Sequence, residues 1–128
     1  MSVLLFSISI DTLHPFYYVA IKYLGTKYKY GGMDENGMDC SGFLYRVLSE
    51  FNIKPPRTSF DYLNFGKPVS LDSVKPGDVL IFSFKQDYDH VGIYIGDNKI
   101  IHASRNRGVI IEDLKYIGKY LKLARRIY

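Results

Sequence analysis

The sequence predicts an α+β fold, with helices from its first half packed on a mostly antiparallel sheet from its second. Three observations carry this. Apolar residues recur at three- and four-residue spacing from Phe43 to Phe51. The second half breaks into short apolar runs bounded by Gly, Pro, Asp and Asn. The two patterns are segregated along the chain rather than alternating, which argues against a parallel βαβ sheet. A chain of 128 residues suits a single domain over residues 1–128. Its 47% hydrophobic and 23% charged residues exclude disordered and fibrous classes.

The elements follow in order. Pro15 suits a first helical position, and Phe16, Tyr17, Val19, Ala20, Tyr23 and Leu24 follow, with Gly25 as a stop. A second helix starts near Cys40, with Asp39 as its N-cap, and buries Phe43, Leu44, Val47, Leu48 and Phe51. Pro55-Pro56 lies beyond its end, and a short third helix runs from Thr58 or Ser59 to Gly66. Lys75-Pro76-Gly77-Asp78 marks a turn. Strands are predicted over Val79 to Phe84, Val91 to Ile95, Lys99 to His102, Val109 to Ile111 and Leu121 to Ile127, with Gly96-Asp97-Asn98 closing a tight hairpin.

The formal net charge is +4 and the pI about 9.1, with basic residues spread along the chain. That balance favours anionic partners in general and does not single out nucleic acid; the cluster from Lys115 to Arg126 reads as a solvated basic end. The apolar run from Val3 to Ile10 is too short to span a bilayer, and no integral membrane segment is expected. It resembles part of a signal peptide but lacks the preceding basic residue and a clear cleavage site, so residues 1–12 read as a signal remnant or a flexible N-terminus.

One cysteine excludes an intrachain disulfide and leaves the Cys40 thiol either buried and inert or reactive. Placement at a helix N-terminus favours the thiolate, since the helix dipole and free N–H groups stabilise negative charge. Gly42 leaves room for a substrate backbone. A thiol nucleophile works with a base in reach, itself oriented by a third group. His90 and His102 flank one predicted hairpin and supply a base and an orienter; His14, before a proline, reads as incidental. If Asp97-Asn98 were a plain two-residue turn, His102 would lie opposite Ile93 and His90 would face the other side of the sheet. A shared face therefore requires a bulge or an odd-length loop, and Gly92 is the expected place for it.

Six blocks in register give the sequence a resemblance to the NlpC family of papain-like bacterial cell-wall cysteine peptidases. They are Tyr28-Lys29-Tyr30-Gly31-Gly32, Gly37-Met38-Asp39-Cys40-Ser41-Gly42, Pro56-Arg57-Thr58-Ser59, Lys75-Pro76-Gly77-Asp78-Val79, His90 through Gly96, and Ile101-His102-Ala103-Ser104. The closing Ala124-Arg125-Arg126 also fits, so the resemblance covers about residue 14 to the end. Met38 stands where a bulkier apolar or aromatic residue is common, and the tryptophan often found near the C-terminus is missing.

The resemblance implies a papain-like fold and a Cys40, His90 and His102 triad. It implies hydrolysis of peptidoglycan stem peptides, usually between γ-linked D-glutamate and diaminopimelate or lysine. Tyr28 matches a residue that stabilises the oxyanion or holds substrate, or else is a core aromatic. Asp39 and Ser59 match residues lining the pocket for the N-terminal side of the stem peptide, with Ser41 beside them; a carboxylate there suits a free ammonium. Arg57 reads as a pocket-wall or structural residue. No cofactor or metal is implied, the expected partner is a muropeptide, a monomer is expected, and the expected location is extracytoplasmic. No cell-wall-binding or SH3-like domain of the kind many relatives carry is expected within these 128 residues. The alternatives are an amidase, deamidase or acyltransferase using the same thiol, an antibacterial wall-degrading toxin, or a binding module that kept the cleft.

Overall fold

The computed structural model describes residues 14–128, so the apolar run from Val3 to Ile10 lies outside the described residues. Helix α1, Pro15–Ala20, begins on a proline whose missing N–H is no loss at that position. His14 caps it, accepting from the Phe16 N–H through Nδ1 at 3.1 Å, so this histidine has a structural job rather than an incidental one. The helix tightens into a 3₁₀ turn, Ile21–Tyr23, before Gly25 turns the chain at φ +88°. A small hairpin, β1 (Met33–Asp34) and β2 (Gly37–Met38), leads into α2, Cys40–Ser49.

Six strands follow: β3 (Lys67–Val69), β4 (Val79–Phe82), β5 (His90–Gly96), β6 (Lys99–Ser104), β7 (Gly108–Asp113) and β8 (Leu121–Arg126). They form one sheet in the order β3-β8-β4-β5-β6-β7, and every pairing is antiparallel. One helical turn, α3 (Leu114–Ile117), joins β7 to β8 through a 3₁₀ turn. The segregation of helices and strands is as the sequence predicts. The third predicted helix is instead a 3₁₀ turn, Phe60–Asn64. The short pairs β1 and β2, the Pro-containing edge strand β3, and α3 went unpredicted. They are too brief to show a hydrophobic period, and a proline is tolerated only at a sheet edge.

Side-chain alternation divides the core between the two faces of the sheet. Val79, Ile81, Val91, Ile93, Ile101 and Ala103 pack with Phe43, Leu44, Val47 and Leu48 of α2 and with Phe16 and Ala20 of α1. Leu80, Phe82, Ile100 and Ala124 form the second layer, covered by Leu114, Ile117 and Tyr120. Each fully buried aliphatic or aromatic side chain contributes about 1.5–3 kcal/mol, enough to hold a ten-residue helix that would be marginal alone. Phe51 is only partly buried, because α2 has already ended.

The β5–β6 hairpin decides the position of the histidines. Asp97 and Asn98 have φ of 55° and 58°, the conformation a two-residue type I′ turn requires. Gly96 pairs with Lys99, but Tyr94 pairs with Ile100 and Ile93 with Ile101, leaving Ile95 as one extra residue. The bulge is therefore at Ile95, beside the turn, and not at Gly92. Its consequence is the one the shared-face reading needs: continuing the register, His102 lies opposite Gly92 rather than Ile93, and His90 falls on the same face as His102.

Candidate active site

Asp39 starts the site. Its Oδ1 accepts from the Gly42 N–H at 2.7 Å, capping α2, and its Oδ2 accepts from the Gly31 N–H at 2.7 Å. Arg57 closes on the same carboxylate, with Nη1 3.0 Å from Oδ1 and Nη2 3.2 Å from Oδ2. Arg57 Nη1 also donates to Ser41 Oγ at 2.7 Å. The Asp39 carboxylate thus caps α2, ties down Gly31 and holds the Arg57 guanidinium while lining the wider cleft. Gly42 is likewise committed within the protein. A methyl group there would lie 1.9 Å from the Gly32 carbonyl oxygen, so the close approach it permits is by its own chain rather than by a substrate backbone.

This arrangement fixes Cys40 as the first residue of α2, at the mouth of two adjoining clefts. One, of about 430 Å³, is lined by His90, His102, Phe84, Arg107, Glu112 and Tyr120 among others. The other, of about 730 Å³, is lined by Tyr30, Asp39, Ser41, Arg57, Ser59 and Tyr88 among others. Tyr28, Cys40, Lys85, Asp89 and Arg105 border both. All eight residues singled out in the sequence therefore line one or both clefts. The Arg105 guanidinium lies 5.8 Å from the centre of the Tyr28 ring, and Tyr28 both borders the clefts and packs, partly buried, against the core.

The Cys40 thiol donates to the Asp89 carbonyl at 3.8 Å, a weak contact immediately before His90. His90 Nε2 is 2.7 Å from His102 Nδ1, and the rings stand nearly perpendicular at 87°. His102 Nε2 is in turn 2.8 Å from Glu112 Oε1, and Arg107 Nη2 is 2.8 Å from Glu112 Oε2. Phe84 packs on His90 with ring centroids 4.8 Å apart. Asp89 holds the bordering loop, accepting from the N–H groups of Phe84, Lys85 and Gln86 at 2.8, 2.9 and 2.9 Å.

Burial governs the titration of the site. It pushes the Cys40 thiol up to about 11, only partly offset by N–H groups of Val91 and Ser41. It pushes His90 down to about 3, with His102 adding to the shift. His102 is lowered by burial as well, against the raising influence of Glu112. These directions favour a resting pair of neutral thiol and neutral imidazole. Burial works against the thiolate that the helix N-terminus favours, since Cys40 is only 7% exposed and desolvation is the leading cause of the shift. Glu112 stays ionised: burial alone would raise it, but its bonds to Arg107 and His102 hold it low.

Glu112, Arg107 and Asp89 are the residues sequence reasoning missed. A signal for Glu112 existed, since it and Asp113 are the carboxylates that close the apolar run Val109-Ile110-Ile111. Using it required the β6–β7 register, which pairs Ile100 with Glu112 and His102 with Ile110.

The profile of the NlpC/P60 family matches residues 25–126, which include every residue of this constellation. The chain belongs to the NlpC/P60 family. It is 40% identical over 106 residues to an Escherichia coli protein named murein DD-endopeptidase MepS/murein LD-carboxypeptidase, covering 80% of this chain and 56% of the relative. It is 37% identical over 86 residues to the γ-D-glutamyl-L-lysine dipeptidyl-peptidase of Bacillus subtilis, covering 65% of this chain and 29% of the relative. The chain thus spans little more than half of the one and under a third of the other. A solved NlpC/P60 family protein from Bacillus cereus superimposes with a TM-score of 0.81 at 31% identity, covering 87% of this chain and 38% of that one. The α+β arrangement of this NlpC/P60 chain is accordingly the papain-like one. Among the described residues, no helix is long and apolar enough to cross a membrane.

Proposed function

We propose that this NlpC/P60 domain is a cysteine endopeptidase that hydrolyses amide bonds of peptidoglycan stem peptides outside the cytoplasm. Cys40 is the nucleophile, His90 its base and His102 the orienter of His90. The observation that carries the reading is the position of Cys40 at the junction of two clefts, beside the hydrogen-bonded histidine pair. An endopeptidase must hold substrate on both sides of the scissile bond, and a thiol between two clefts suits that need. The cell-wall substrate is supported by the names of the relatives, which are murein and γ-D-glutamyl peptidases.

In this mechanism His90 takes the thiol proton as the sulfur attacks the scissile carbonyl, so the charged pair forms during attack. The first N–H of α2, at Cys40, and the Tyr28 hydroxyl stabilise the oxyanion. His90 then gives its proton to the departing amine, leaving a thioester. Water, deprotonated by His90, hydrolyses the thioester and restores the thiol. The thiol gives up its weak contact with the Asp89 carbonyl as it turns its proton to His90.

The bond we favour joins γ-linked D-glutamate to diaminopimelate or lysine, in keeping with the Bacillus relative. A second reading, cleavage at a D,D or L,D bond, is favoured by the higher identity to the Escherichia coli relative. Mass spectrometry of products from defined muropeptides separates the two and also separates hydrolysis from acyl transfer or deamidation. The expected result is a pair of water-added fragments from the wild type and none from Cys40→Ala. Undiminished cleavage by Cys40→Ala sinks the assignment.

A further inference from the structure

We propose that Glu112 is a positioning residue that sets the tautomer of both histidines, so that His90 presents its Nδ1 lone pair to Cys40. Glu112 is a β7 residue, 8% exposed, on the face of the sheet that carries His102. An ionised carboxylate only accepts hydrogen bonds. With Glu112 Oε1 2.8 Å from His102 Nε2, the proton of neutral His102 is on Nε2 and its Nδ1 is bare. That bare Nδ1 lies 2.7 Å from His90 Nε2, so His90 must be the donor there and carry its own proton on Nε2. The neutral His90 ring then has one remaining lone pair, on Nδ1, and that is the atom free to take a proton. Each step follows from the one before, and the carboxylate is the only member of the chain that cannot reverse its role.

Without the carboxylate, His102 is free to hold its proton on Nδ1 and donate to His90 Nε2. His90 would then carry its proton on Nδ1 and have no base to offer a thiol. Arg107 has a part in this, since its 2.8 Å bond to Oε2 holds Glu112 ionised and fixes the direction of Oε1. The charged and titratable groups facing the pair are Glu112 and Arg107 on one side, and Asp89, Cys40 and Arg105 on the other.

The kinetic consequence rests on the reading of Cys40 and His90 as nucleophile and base; the tautomer assignment does not. The test is ¹⁵N-histidine NMR of the full chain at neutral pH, together with pH-dependent kinetics on muropeptides, for the wild type, Glu112→Gln and Glu112→Ala. The wild type is expected to show both buried histidines protonated at Nε2. Glu112→Ala is expected to populate the Nδ1-protonated form and to lose about tenfold to a hundredfold in kcat with KM nearly unchanged. Gln keeps a carbonyl acceptor without the charge, so Glu112→Gln should largely retain the tautomer and recover part of the rate. Its acid limb in kcat/KM should still move to lower pH, because the anion that favours protonation of the resting neutral histidines is gone. An Nδ1-protonated His102 in the wild type overturns the proposal. So does a kcat and an acid limb unmoved in both variants. If Glu112→Ala does not fold, the limb of Glu112→Gln decides alone. Undiminished cleavage by Cys40→Ala would remove the enzyme reading and leave the NMR result standing.

Discussion

A methyl group on Gly92 would lie 2.9 Å from His102 Cβ and 2.4 Å from Ile100 Cδ1. Gly92 therefore keeps open the space that lets His102 lean across β5 toward His90. The first prediction is that Gly92→Ala pushes His102 or Ile100 from its place. It should cost about 1–3 kcal/mol of stability by overpacking and lower kcat more than it raises KM. Urea unfolding and steady-state kinetics check this. Stability and kcat both equal to the wild type would show that the close approach is not what orders the pair.

The resting charge state of Cys40 is open to a direct measurement, because the sequence holds a single cysteine and labelling reports on one site. With burial raising the thiol to about 11, thiolate is scarce at neutral pH. The iodoacetamide alkylation rate should climb about tenfold per pH unit from pH 6 to 9. A plateau already reached near pH 6 would mean that the helix N-terminus wins over desolvation and that the ion pair exists before substrate arrives.

His90 and His102 also make stability depend on pH. Both have a folded-state pKa below the ordinary 6.5, with burial the leading cause. Below 6.5 the unfolded chain binds protons that the folded chain refuses, so stability is complete above that value and declines as pH falls from about 6.5 toward 3. Tm should drop between pH 7 and 5, a window in which most carboxylates remain ionised, and the drop should be smaller in His90→Gln. Equal slopes for the two proteins would contradict the neutral, buried state of His90.

Asp39 and Arg57 join the helix cap to the wall of the wider cleft. The Arg57 side chain is 34% exposed and that of Asp39 10% exposed, so their ion pair is partly screened. Removing the carboxylate also removes the cap of α2 and the tie to Gly31. We expect Asp39→Ala to cost about 2–3 kcal/mol, read by chemical denaturation. Asp39→Asn keeps an oxygen for the cap and should cost less. Arg57→Lys loses the two-pronged contact and should raise KM with kcat less affected. If Arg57→Lys lowered only kcat, Arg57 would belong to the chemistry rather than to the cleft wall.

Much of the molecule was legible in the residue order because its signals are local. The face of α2 follows from the spacing of Phe43, Leu44, Val47 and Leu48, its start from Asp39, and the hairpin turn from Asp97-Asn98. Those features need only the periods of helix and strand and the preferences of caps and turns. The order of helices and strands set the fold class, and six motif blocks set the family.

Tertiary structure decided whatever depends on register or on shared environment. The bulge at Ile95, which places His102 on the face of His90, arises beside a turn whose residues look regular. Glu112 reaches His102 only through the pairing of β6 with β7, a long-range fact that no local pattern encodes. Arg57 joins the N-cap bonds on the Asp39 carboxylate, a pairing across 18 residues of sequence that no local pattern encodes. Burial of the Cys40 thiol, a property of everything packed around it, opposes the favourable helix start visible in the sequence.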